Sequence, residues 1–193
     1  MNKPVLVKWL GRLLIAGTML LMLVLNAGNK PLITGEAPSG GLSLEMPAAP
    51  LNVDRILWSW YVRKVIDNAS EQIGYDFVFI VFYSGLLIFA CVRLHQAVKQ
   101  AGVAGWKKYA LLGGAAAALA GVLDVLENFG MLKFIANYTH RMSSPESLVT
   151  LVHASALTKF ILIGVSLLVI AALDVRLVAS RQPEGAGPGN REN

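Results

Sequence analysis

Apolar residues gather in four blocks along the chain, with polar stretches between them. A membrane helix needs about 20 mainly apolar residues. Four segments meet that length, over about 9–28, 74–93, 109–129 and 151–173. Backbone polar groups in lipid must bond within the segment, so the blocks are read as helices. No period-two alternation points to a barrel. The pattern therefore predicts an all-α integral membrane protein, a four-transmembrane-helix bundle forming a single domain over 1–181. Residues 182–193 (QPEGAGPGNREN) read as a disordered cytoplasmic tail.

The stretch 29–73 is the one large loop. Its first half, PLITGEAPSGGLSLEMPAAP, is rich in Gly and Pro and reads as irregular. Its second half, about 52–72, carries Ile56, Leu57, Trp60, Tyr61, Val65 and Ile66 at helical spacing. With Trp58 beside them, these residues suit an amphipathic interfacial helix at the headgroup level of the first extracytoplasmic loop. A helix packed over the mouth of the bundle fits the same pattern.

Charge sets the orientation. Lys3, Lys8, Arg12, Arg93, Lys99, Lys107, Lys108, Arg176, Arg181 and Arg191 lie at one set of span ends. Lys30, Arg55, Arg63, Lys64, Lys133, Arg141 and Lys159 lie toward the other, a split of ten against seven. Cations favour the cytoplasmic side, so both termini are expected there. Lys3, Lys8 and Arg12 ahead of an apolar run also fit a signal peptide. Cleavage after Ala27 would put Leu25 at the −3 position, a poor match, so the segment is read as an uncleaved anchor.

Composition agrees with a bilayer location. The chain is 55% hydrophobic and 15% charged, with a mean hydropathy of +0.56, where soluble domains carry roughly 25% charged residues. The net charge of +5 reports topology, and no nucleic-acid-binding motif accompanies it, so no nucleic acid partner is expected. Cys91 is the one cysteine, which excludes an internal disulfide and a multi-cysteine metal site. Four spans with a long first outer loop are an arrangement similar to that of claudins and tetraspanins. Their paired loop cysteines have no counterpart here, so the resemblance ends at topology. Vitamin K epoxide reductase-type enzymes need paired cysteines as well. Two Asn-x-Ser/Thr sequons, at Asn68 and Asn137, fall on the predicted outer side and would suit glycosylation in a eukaryotic host.

The candidate chemistry lies in one layer. Counting about 1.5 Å per residue from the inner end of each span places Asn26, Asp76, Asp124, Glu127, Asn128 and Lys159 at about 21–28 Å. Ionisable groups at such depth are costly and point to function by default. On the third span Gly114, Ala117, Gly121, Asp124 and Asn128 share a face of small and polar residues, and Glu127 flanks it. On the second, Asp76, Ile80, Tyr83 and Leu87 share another. The matched depth of Asp124 and Lys159 suits an ion pair. His140 and His153 are read as loop or interface residues.

These residues leave three functions open. The reading with fewest assumptions is a structural or accessory subunit, in which the layer fixes helix register and the loop helix meets a partner. The second is an enzyme acting on a lipid or lipid-linked substrate at the outer leaflet. Its catalytic candidates are Asp124, Glu127, Asp76 and Lys159, and Asn128, Tyr83 and Asn26 are its substrate-binding candidates. The third is a component of a proton-coupled transporter. No cofactor is expected, although Asp124 and Glu127 are spaced to share a divalent cation with Asp76 or His153. The expected partners are the lipid bilayer and either a membrane protein or a second copy of the chain.

Overall fold

Every regular element among the described residues is helical, and four of the helices are long and apolar enough to cross a membrane. A computed structural model of the chain describes residues 3–47, 49–102 and 104–180. The long helices are α1 (Lys3–Asn29), α4 (Ile66–Gln100), α5 (Lys107–Thr139) and α6 (Glu146–Ala179). Two short helices, α2 (Gly41–Glu45) and α3 (Pro50–Val62), lie in the loop between α1 and α4. The 182–193 tail falls outside the described residues.

The helices outrun the apolar blocks that predict them. With 33 to 35 residues each, α4, α5 and α6 are about 50 Å long, roughly 20 Å more than a hydrocarbon core. The reason is visible on α5. The apolar block ends near Phe129, but Met131, Phe134 and Ile135 continue a buried stripe beneath the loop while Lys133 stays exposed. Protein rather than lipid covers that last stretch.

The helix expected over 52–72 is two helices. α3 stops at Val62, and α4 starts at Ile66 and continues without a break into the second span. Lys64 takes the left-handed conformation (φ 59°), and the Val65 amide donates to the Trp60 carbonyl at 2.9 Å. This is the wrapped ending of a helix, built here without its usual glycine. The same device ends α5, where Arg141 has φ 57° and the Met142 amide donates to the Asn137 carbonyl at 2.9 Å. The apolar face of α3 (Val53, Ile56, Leu57 and Trp60) is buried in protein, leaving Leu51, Trp58, Tyr61 and Val62 exposed.

The long helices pack in chain order, α1 along α4, α4 along α5 and α5 along α6, with α4 also touching α6. Small residues set the closest approaches. A Cβ at Gly121 of α5 would stand 3.1 Å from Ser84 Cβ of α4, and one at Gly130 would collide with Val152 of α6. The largest apolar core lies at the loop end, where Leu32, Leu44, Trp60, Ile73, Phe134 and Val152 meet. A smaller core around Ile80, Tyr83, Leu87 and Ala117 fills mid-bundle, and a third, around Val98, Ala110 and Leu173, closes the far end.

The first half of the loop is ordered by its own polar groups. Trp60 Nε1 donates to the Leu32 carbonyl at 2.7 Å. Thr34 Oγ1 and Ser59 Oγ share a hydrogen bond of 2.9 Å, and the Ala37 amide donates to Thr34 Oγ1 at 3.0 Å. Asn29 Oδ1 accepts from the Gly41 amide at 2.7 Å. Gly40, at φ 62°, lies so close to Asn29 that a Cβ there would collide with the amide. This scaffold aims α2 at the bundle.

Candidate functional site

Three elements converge on one ammonium. α6 supplies Lys159, 5% exposed and set between the loop-end core and the mid-bundle core. Its Nζ donates to Asp124 Oδ1 at 2.6 Å, to Glu127 Oε1 at 2.9 Å and to Glu45 Oε2 at 3.2 Å. A lysine has three N–H donors, and here each has a carboxylate. Asp124 and Glu127 reach the same cation because they stand about one turn apart on α5. Glu45 arrives from the loop at the end of α2. Tyr83 of α4 donates to the second oxygen of Asp124 at 2.8 Å. The network thus ties α4, α5, α6 and the loop together.

A second link stands beside the first. Asn128 Nδ2 donates to Asp76 Oδ2 at 2.7 Å, joining α5 to α4. Asn128 and Glu127 are both 0% exposed, yet Asn128 Oδ1 and Glu127 Oε2 have no hydrogen-bond partner among the described residues. Buried polar atoms are nearly always paired, so each such atom calls for an explanation. The charges are also uneven. Glu45, Asp124 and Glu127 surround the Lys159 cation, and Asp76 adds a further carboxylate nearby. A pin that only fixes helix register needs one carboxylate per cation.

A cavity of about 260 Å³ adjoins the network. α1, α2, α3, α4 and α5 all contribute to its wall. Its polar lining is Asn26, Asn29, Glu45, Gln72, Asp76 and Asn128, and the rest is apolar, with Leu25, Leu44, Ile73 and Met131 prominent. Glu45 belongs to both structures, touching Lys159 on one side and the cavity on the other. Asp124, Glu127, Lys159 and Tyr83 are absent from this wall and lie behind it.

The structure therefore divides the residues singled out in the sequence. Asp124, Glu127, Lys159 and Tyr83 form one bonded cluster. Asp76 and Asn128 form the second link and line the cavity. Asn26 is exposed and stands at the rim. His153 forms no hydrogen bond with the cluster among the described residues, and its Nδ1 is buried without a partner. No group of three or more His, Cys, Asp or Glu is arranged to hold a metal ion among the described residues. Asn68 is exposed and Asn137 is buried, so of the two sequons the first alone is open to modification.

Sequence reasoning missed Glu45, Asn29 and Gln72. Glu45 lies in a stretch read as irregular, and its one local signal is the LSLE segment, where two leucines flank the turn that delivers it. Leu44 is buried in the loop-end core beside it. No family model, curated protein or solved structure matches the chain.

Proposed function

We propose that the chain is an integral membrane protein of four spans, with both termini cytoplasmic, that binds a small amphiphile or lipid-linked group at the outer-leaflet end of the bundle. One observation carries the reading. An apolar cavity bears two carboxylates and an amide whose buried oxygen has no partner, next to a rigid ionic network. Mostly apolar walls with a few convergent polar groups are the usual form of a small-molecule site. The exposed Trp58, Tyr61 and Val62 of α3 support placing this end at headgroup level. In the enzymatic form of the proposal, Asp76 rather than Asp124 or Glu127 serves as general base, because it stands on the cavity wall.

A structural or accessory subunit is the second reading. The pairing of all three Lys159 donors supports it. The two readings differ in what the cavity holds. Native mass spectrometry of the protein extracted in mild detergent is expected to show one bound amphiphile per chain. Leu42, on the cavity wall and exposed, offers a way to fill the space without touching the polar groups. The Leu42→Trp variant is expected to lose the adduct while keeping its helical circular dichroism. A variant that retains every adduct of the wild type would leave the accessory reading standing alone.

A further inference from the structure

The cavity reading leaves its ligand open, and the wall narrows the choice. Among the described residues its lining includes no lysine or arginine, and it carries the carboxylates of Glu45 and Asp76. Trp60 also lines it, but its N–H is already committed to the Leu32 carbonyl. Asn29 is committed on both sides, to the Gly41 amide and the Ser39 carbonyl. Gln72 can donate as well as accept, and the other interior groups left for a ligand, the carboxylates of Glu45 and Asp76 and the Asn128 amide oxygen, are acceptors.

Asn128 makes the argument specific. An ionised carboxylate only accepts hydrogen bonds, so the amide must turn its NH₂ to Asp76. That orientation leaves Oδ1 as the group without a partner, on a residue that is 0% exposed and lines the cavity. An acceptor buried in this way is costly unless a donor arrives. Resting on the reading of the cavity as an amphiphile site, we infer that its ligand carries a primary ammonium head, which donates to Asn128 Oδ1 and to the carboxylates of Asp76 and Glu45. The three N–H donors of such a head match three acceptors, and its charge offsets the surplus of carboxylates around Lys159. A quaternary ammonium has no N–H for Asn128. It also lacks a cage of aromatic rings here, since Trp60 is the single aromatic residue in the lining among the described residues. An anionic head would meet two carboxylates.

The volume fixes how much of the ligand lies inside. At about 260 Å³ the cavity falls just below the usual range of roughly 300–1,000 Å³ for small-molecule sites. It holds the head and the first few methylenes, against Leu44, Ile73 and Met131. The exposed Asn26 and Leu42 mark the rim where a longer chain leaves.

Equilibrium binding to the full chain in phosphatidylcholine nanodiscs tests this with four probes: dodecylamine, dodecyltrimethylammonium, dodecanoate and butylamine. Dodecylamine is expected to bind one per chain, and the other two dodecyl probes at least about tenfold more weakly, the weight of one charge-assisted hydrogen bond. Asp76→Asn is expected to weaken dodecylamine by about the same factor, and Leu42→Trp to abolish its saturable binding. Saturable binding of dodecyltrimethylammonium or dodecanoate as tight as that of dodecylamine, and lost in Leu42→Trp, would overturn the ammonium head while keeping the amphiphile site. Butylamine binding as tightly as dodecylamine would uphold the ammonium head and overturn the amphiphile, naming a soluble amine as the source. If no probe distinguishes Leu42→Trp from the wild type, the site and its ligand both fall.

Discussion

Replacing Lys159 by methionine is expected to destabilise the protein by about 3–5 kcal/mol, the usual loss when one member of a buried ion pair is removed. For a chain of this size that is a fall of roughly 10 °C in the unfolding midpoint. Methionine fills nearly the same volume, so the effect is electrostatic rather than a cavity. Asp124 and Glu127 would be left buried with their charges facing each other, and Glu45 would lose the contact that holds α2 to the bundle. Adding Asp124→Asn and Glu127→Gln to the same chain is expected to restore much of the loss, because the unpaired charges go with them. The measurement is thermal unfolding in detergent followed by circular dichroism. A single Lys159→Met protein that melts with the wild type would show that the network contributes nothing to stability.

The second large effect is expected at Trp60. It is 1% exposed and anchors the core at the loop end. Truncating a buried tryptophan to alanine costs about 3–5 kcal/mol, and the hydrogen bond to the Leu32 carbonyl goes with it. The consequences should be local first. Trp60 holds the segment that carries Glu45 against the bundle, so Trp60→Ala is expected to open the 33–49 region to protease while α4, α5 and α6 stay intact. Trp60→Phe keeps most of the packing and removes the N–H, which isolates a hydrogen bond worth about 1 kcal/mol. Limited proteolysis with mass mapping reads both variants. Cleavage spread evenly along the chain in Trp60→Ala would mean that the loop is not a separable cap.

Much of this architecture was legible in the sequence because period and depth are simple quantities. Four apolar blocks gave four long helices. Counting residues from the span ends put Asp124 and Lys159 at one level, and they stand 2.6 Å apart. The shared face of Asp76 and Tyr83 likewise met the face of Asp124 and Asn128. What the pattern hid was decided by tertiary contacts. Nothing near Lys64 signals a helix end, because the left-handed turn there is made without glycine. The continuation of α5 past Phe129 depends on the loop that covers it. Glu45 reaches Lys159 across 114 residues of sequence, and no local period encodes a meeting of that kind. The helix over 52–72 failed for the reason that spacing alone does not say where one helix yields to the next.

The central claim is that Asp76 and Asn128 are held for a ligand rather than for the fold, and the Asp76→Asn protein tests it most directly. An asparagine there can still accept from Asn128 Nδ2, so the helix contact survives while the charge goes. Functional sites often hold polar groups at a cost in stability. The Asp76→Asn protein is therefore expected to unfold in detergent at a midpoint equal to or above that of the wild type, while holding the amphiphile about tenfold more weakly. A midpoint lowered by several degrees with the amphiphile held as tightly as before would contradict the claim, and would make Asp76 a structural pin.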